Sequence, residues 1–164
     1  MNIFVLDKNP HVAAEMHCDK HVVKMILETA QMLSTAHHIY ESPYVSQVYK
    51  KAHVNHPCTI WIRESTMNYD WAWKLFQGLN LQFVMRRNKE HESWKKLSRI
   101  LGTTPEGMPC KGLTPFAQAM PDEFKQEDAV EAYRAYYMGA KAGFAKWEWP
   151  NAKTPFWWNS VKCA

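Results

Sequence analysis

The stretch Asp19–Ala36, DKHVVKMILETAQMLSTA, constrains this chain more than any other. It predicts one helix of about five turns at 3.6 residues per turn. Val22, Ile26, Ala30 and Leu33 fall on one side of that helix. Lys20, His21, Lys24, Glu28, Gln31 and Thr35 fall in a stripe roughly 100° wide on the other, with Met25 and Met32 on one edge and Leu27 on the other. A surface helix of a globular protein carries a broad polar face and a narrower apolar one. Here the proportions are reversed, so the helix is expected to be largely buried, its polar seam lining a site with Glu28 set among lysines.

Such a helix needs a core around it. The chain has 164 residues, of which 46% are hydrophobic and 13% aromatic, with eight Trp. That is enough apolar material for one folded domain, 1–164, and argues against disorder. The net charge of +4 permits a phosphate-bearing ligand but is far from the footprint of a protein that clamps a long duplex. Cys18, Cys58, Cys110 and Cys163 form no CxxC pair, which disfavours a zinc ribbon, and Cys18 and Cys58 read as reduced core thiols. Met1–Leu6 is too short for a signal peptide and no run of 18 apolar residues occurs, so a cytoplasmic protein is expected, with no membrane partner.

Along the chain, Asn2–Leu6 (NIFVL) reads as a short strand or extended segment. Asp7-Lys8-Asn9-Pro10 is a turn in which Asn9 can cap a short helix, Pro10–His17. Asp19 is the expected cap of the long helix. Residues 41–54 lack a clear period and read as a loop open to motion. Asn55-His56-Pro57 repeats the cap-plus-proline pattern before a helix at Pro57–Ser65. Thr66–Arg87 is a long helix with Trp71, Leu75, Leu79 and Phe83 at i+4 spacing, and Gly78 within it signals close packing. Glu90–Leu101 and Glu127–Lys146 are the last two helices, the latter with Val130, Tyr133, Tyr137 and Ala140 on one side. Between them lies a Pro- and Gly-rich segment, 103–126, long enough to be functional. The tail from Trp147 carries four Trp and a Phe and must pack back or cover a ligand. The fold class is all-α: a compact helical bundle, with at most a short N-terminal strand.

Several constellations could carry chemistry. Lys24 precedes Glu28 by one turn, the weaker orientation for a helical ion pair. It is either an exposed i,i+4 pair or a carboxylate held ionised by ammonium groups that also bind phosphate. His17 and His21 stand at i,i+4, and His53 and His56 could supplement them as metal ligands. There is no HExxH, and the lysines beside His21 would repel a cation, so no metal or other cofactor is expected. His56 can either cap its helix or point a donor into a cleft. Most of the Trp side chains must fill the core. Trp61 and Trp71, beside cationic groups, could also stack a nucleobase, with Asn55, Asn68 and Gln118 reading its edge.

The series of a short strand, Asn-Pro, a helix with a central acid, Asn-His-Pro and an aromatic helix, over Asp7–Gln31 and His53–Asn88, resembles the pyrimidine-dimer DNA glycosylase (endonuclease V-like) superfamily. The whole chain is similar to phage proteins with CDKHVVKM-x-LE-x-AQ-x-L at Cys18–Leu33, NHPC at Asn55–Cys58 and TPFAQAMPDE at Thr114–Glu123. The resemblance implies a compact helical enzyme that breaks an N-glycosidic bond. It further implies a nucleophilic N-terminal amine and an assisting glutamate on the first long helix. Glu28 is the candidate glutamate, although an ungapped alignment from Pro10 places Lys24 there. Asn at position 2 is large for removal of Met1, which favours simple hydrolysis over a Schiff base. Glu28 then stabilises positive charge on the sugar, and His21, His56 or Lys24 assists the leaving base.

The catalytic set expected is therefore Glu28, His21 and Lys24. The binding set is Lys20, Gln31, Asn55, His56, Trp61, Asn68, Trp71 and Gln118. Scattered charge, with Lys and Glu alternating over Glu90–Arg99, suits a small phosphorylated nucleotide better than duplex DNA. Phage proteins of this size include inhibitors of nucleotide-signalled immunity of the CBASS or Thoeris type. The reading is an N-glycosidase acting on a cyclic oligonucleotide signal. The alternatives are a DNA glycosylase for damaged or modified bases and a non-catalytic nucleotide sponge. A homodimer is compatible with the tail covering a neighbour's pocket.

Overall fold

A computed structural model describes residues 1–158, and its helices come in the order α1 (Pro10–Met16), α2 (Asp19–Ile39), α3 (Pro57–Glu64), α4 (Thr66–Arg87), α5 (Glu92–Leu101) and α6 (Ala129–Ala140), with a 3-10 turn at Asp122–Phe124. The fold is all-α, and no strand occurs among the described residues. Residues 2–6 are buried but bend back on themselves, Leu6 N–H donating to the Phe4 carbonyl, and find no partner strand. A short apolar run looks the same in sequence whether it is a strand or a buried irregular segment.

Two helices organise the bundle. α4 packs against α1, α2, α3 and α5, and α2 against α3, α4 and α5. α4 begins where Ser65 Oγ accepts from the Asn68 N–H and ends at Asn88 in the left-handed conformation. Its residues Trp71, Leu75, Leu79 and Phe83 are all buried. The crossing with α1 depends on Gly78. A Cβ there would sit 2.9 Å from Ala14 Cβ and 3.3 Å from His11 Cα. α1 is capped by Asn9, whose side chain accepts from the His11 and Val12 N–H groups.

The α2 N-terminus differs from expectation. Cys18, not Asp19, occupies the cap position and its side chain makes no capping bond. Distant groups satisfy the free N–H donors that any helix start presents. Cys18 N–H donates to Tyr137 Oη at 3.0 Å and Asp19 N–H to the Lys146 carbonyl at 2.8 Å. Asp19 is released to pair with Arg86 at 3.0 Å and to accept from the Glu148 and Trp149 N–H groups. That demand also explains why α6 stops at Ala140 rather than Lys146. The chain turns through 141–145 so that the Lys146 carbonyl can reach α2. Ala140, expected on the buried side of α6, is exposed.

α5 and α6 each start two residues later than expected, after a capping side chain. His91 Nδ1 accepts from the Ser93 N–H ahead of α5, and the Asp128 carboxylate accepts from the Val130 and Glu131 N–H groups ahead of α6. Residues 41–54 are tied to α2: Ser42 N–H donates to the His37 carbonyl, His38 Nε2 to the Tyr49 carbonyl, and Thr35 Oγ1 accepts from the Ala52 N–H. The tail packs back on its own domain, where Trp147, Trp157 and Trp158 surround Tyr137. Cys18 and Cys58 are buried free thiols and Cys110 is exposed, while Cys163 lies outside the described residues.

Candidate functional site

α2 shows the inverted polarity expected of it. Lys20, Lys24, Leu27 and Ile39 are exposed, Glu28 and Gln31 are half-buried, and most other positions are buried, His21 and Thr35 among them. The exposed stripe ends in a cavity of about 110 Å³. Its polar wall is Glu28, Lys24, His21 and Lys141; its aromatic wall is Phe4 and Tyr136; Met1 and Asn2 close the inner end. The volume is of the same order as the ~150 Å³ apolar cavity that accommodates benzene.

Glu28 is the carboxylate of this cavity, with its side chain 13% exposed. The Met1 amino group lies 3.7 Å from one of its oxygens and Lys24 Nζ 3.8 Å from the other. The Lys24 side chain is 60% exposed, so its pairing with Glu28 is solvent-screened and the ammonium stays accessible. Lys141 Nζ lies 4.6 Å from the Tyr136 ring centroid and 5.8 Å from that of Phe4. Lys20 Nζ lies over Phe144 at 4.9 Å. One carboxylate thus shares the cavity with Lys24, Lys141 and the Met1 amine.

His21 is 3% exposed and its ring stacks on Phe4 with centroids 4.6 Å apart. Burial first, then the nearby His17, Lys141, Lys24 and Lys20, lowers its pKa to about 2. It is therefore a neutral imidazole and cannot serve as an imidazolium acid. Tyr137 Oη accepts from the Cys18 N–H and keeps its proton, since burial raises its pKa well above the ordinary value. The same oxygen shares a hydrogen bond with His21 Nδ1 at 2.8 Å. His21 is then a neutral imidazole in the cavity wall.

Of the two roles open to it, His56 takes the capping one. Its Nδ1 accepts from the Cys58 N–H at 3.1 Å and caps α3, so its ring hydrogen is on Nε2. Its pKa is lowered by burial and by the Met1 amine and raised by Glu28, which places the ring within the field of both groups. The segment carrying the amine is fixed by Asn2. The Asn2 amide donates to the Ala119 carbonyl, and its oxygen accepts from the Ile3 N–H, the Cys58 thiol and Tyr133 Oη.

The other expected contacts lie elsewhere. Asn68 is fully buried, and its amide is consumed by the Trp61 carbonyl and by the side chain and N–H of Thr114. Trp61 and Trp71 are 3% and 6% exposed and pack edge-to-face on each other and against Phe116. Their indole N–H groups donate to the Thr114 and Lys8 carbonyls. These three residues anchor the 114–116 segment and offer nothing to a base. Gln118 clasps Gln126 through two backbone bonds beside a different, open cleft. Gln31 is one turn past Glu28 on the stripe, and Asn55 is exposed before α3. Phe4, Tyr136 and Lys141 are the cavity groups that the sequence did not single out. Only the Tyr136-Tyr137…Lys141 spacing at the end of α6 hinted at an aromatic–cation wall.

Among the described residues, no group of three or more His, Cys, Asp and Glu side chains is placed to hold a metal ion. None of their helices is long and apolar enough to cross a membrane. No protein family, curated protein or solved structure matches this chain.

Proposed function

We propose that this chain is an N-glycosidase that hydrolyses the bond between a nucleobase and its sugar in a phosphate-bearing nucleotide, with a cyclic oligonucleotide signal as its substrate. The observation that carries the reading is Glu28: one shielded carboxylate in a ring-sized cavity, with cationic groups around it and aromatic faces opposite. As the C1′–N bond lengthens, positive charge builds on the sugar and negative charge on the base. A fixed carboxylate stabilises the first and can orient the attacking water. Neutral His21, in its Nε2–H tautomer, is suited to donate to the departing base. Lys24, Lys20 and Lys141 are suited to hold phosphates at the rim.

A second route is favoured by one distance. The Met1 amine, 3.7 Å from Glu28, could pass a proton to that carboxylate and attack C1′ itself. Borohydride separates the routes, because it would fix sugar to Met1 only if the amine forms an imine.

The test is chromatography of free base after incubation with cyclic dinucleotides and, separately, with ultraviolet-damaged duplex. Release from the cyclic nucleotide, lowered at least 10²-fold by Glu28→Gln, is expected, since a positioned charge of this kind contributes that much. Abasic sites in the duplex alone would make the protein a DNA glycosylase. Retention of intact nucleotide, unchanged in Glu28→Gln, would make it a sponge. A phosphodiester cleavage product would refute all glycosidic readings.

A further inference from the structure

The reaction proposed above leaves one charged surface unused. Lys50-Lys51 and Lys95-Lys96 are basic pairs on separate segments, the first following α2 and the second in α5. The fold joins these segments through Tyr49. Tyr49 Oη hydrogen-bonds Ser93 Oγ at 2.9 Å, and Lys96 Nζ lies over the Tyr49 ring at 5.3 Å. The Tyr49 backbone is held on α2 by Ser34 Oγ, 3.3 Å from its N–H, and by His38 Nε2, 2.9 Å from its carbonyl. Between the two segments runs a groove of about 470 Å³, lined by Tyr44, Gln47, Lys95, Lys96, Arg99 and Thr103.

The groove's charge is largely uncompensated. Lys95 pairs with exposed Glu92 at 2.9 Å. Among the described residues, Lys96 and Arg99 have no carboxylate within ion-pair distance. Half-buried Tyr44 is set against the His37 ring, edge to face, with centroids 6.2 Å apart. Cations, a braced aromatic ring and an amide lining one groove meet the three needs of a single nucleic-acid strand: phosphate neutralisation, a stacking face and a base-edge partner. An anionic bilayer would meet a concave surface, and an acidic peptide would have no use for the aromatic wall.

We propose that this groove binds single-stranded nucleic acid, with Lys95, Lys96 and Arg99 on its phosphates and Tyr44 stacking a base. The site is distinct from the Glu28 cavity. The segment carrying Tyr44 leaves α2 twelve residues beyond Glu28, about 18 Å along the axis at 1.5 Å per residue. The proposal does not depend on the glycosidase reading.

The test is fluorescence anisotropy of a labelled oligothymidylate with the whole protein at about 50 mM salt and upward. Binding that weakens linearly in log salt is expected. In Lys95→Glu/Arg99→Glu, two phosphate contacts fewer should reduce the salt slope by about 1.4 and the affinity at low salt at least tenfold. Tyr44→Ala should lower affinity roughly 5- to 150-fold, the range of one lost base stack. Lys95 and Arg99 are exposed, so the charge-reversed protein is expected to fold, which circular dichroism would verify. Glu28→Gln should bind as the unaltered protein does, so loss of turnover and loss of strand binding read separately. The proposal is overturned if no binding occurs at low salt, or if charge reversal leaves it unchanged. Equal binding of polyglutamate or of anionic phosphatidylserine vesicles would overturn it too, as would loss of binding in Glu28→Gln.

Discussion

Replacing Arg86 by Ala should be the most damaging single truncation in this molecule. The Arg86 side chain is fully buried. It donates to the His17 carbonyl at 2.9 Å, the Glu15 carbonyl at 3.0 Å, Asp19 Oδ1 at 3.0 Å and Gln82 Oε1 at 3.1 Å. It therefore welds the end of α4 to the end of α1 and the start of α2, and through Asp19 to the segment at Glu148 and Trp149. Truncation leaves a buried carboxylate without its counter-charge and two backbone carbonyls without donors. Breaking a buried pair from one side costs about 3–5 kcal/mol. That is a large share of the ~5–15 kcal/mol by which a domain is stable. In urea, with m of about 1–3 kcal/mol per M, the midpoint should fall by roughly 1–5 M. On heating, Tm should fall by about 6–20 °C. Lys125→Ala, which removes an exposed i,i+3 pair with Asp122, should stay within ~0.5 kcal/mol of the parent. The pair is also expected to be non-additive. Asp19→Asn with Arg86→Met should cost less than the sum of the single changes by at least ~1 kcal/mol. A cost below ~1 kcal/mol for Arg86→Ala, or strict additivity in the double variant, would refute the reasoning.

Two further outcomes follow from burial. His17 and His37 have pKa values lowered to about 4 and His21 to about 2, each mainly by burial. The unfolded chain therefore binds more protons than the native one below pH ~6.5, so stability is full above that pH and declines as pH falls toward 4. Each histidine adds a slope of roughly 1.4 kcal/mol per pH unit in that window, readable in urea titrations from pH 7 to 4.5; a flat profile would contradict it. Gly78→Ala should destabilise by about 1–3 kcal/mol even though Ala is the better helix former by ~1 kcal/mol, because the new methyl meets Ala14 Cβ at 2.9 Å and α1 must move. A thermal melt showing a gain would mean that α1 moves freely.

The helices were legible where local chemistry determined them. Thr66–Arg87 matches its expected bounds because Ser65 caps it and Asn88 ends it without outside help. α2 runs past Ala36 to Ile39, since His37, His38 and Ile39 contain no breaker. Where a distant group decided, sequence could not show it. α6 ends early to serve the start of α2, and residues 2–6 are buried without a strand partner. The site divides in the same way. The 3.6-residue period placed Lys24 and Glu28 on one stripe. Nothing local reveals that Phe4 stacks on His21, or that Tyr136 and Lys141 complete the wall from the far end of the chain. Asn68 read as a free amide because its consumption by Thr114 is a contact between residues 46 positions apart.

The anchoring of Asn2 has a consequence for synthesis of the chain. Its side chain is bonded to Ala119 and to Tyr133, 131 residues downstream, and Arg134 Nε donates to the Leu6 carbonyl. Residues 2–6 therefore find their places only once α6 has formed. Until then, Ile3, Phe4, Val5 and Leu6 form an unprotected apolar run. A chain stalled before about residue 133 would present that run to solvent or to its neighbours. Long-range closure of this kind also slows folding relative to bundles built from adjacent helices.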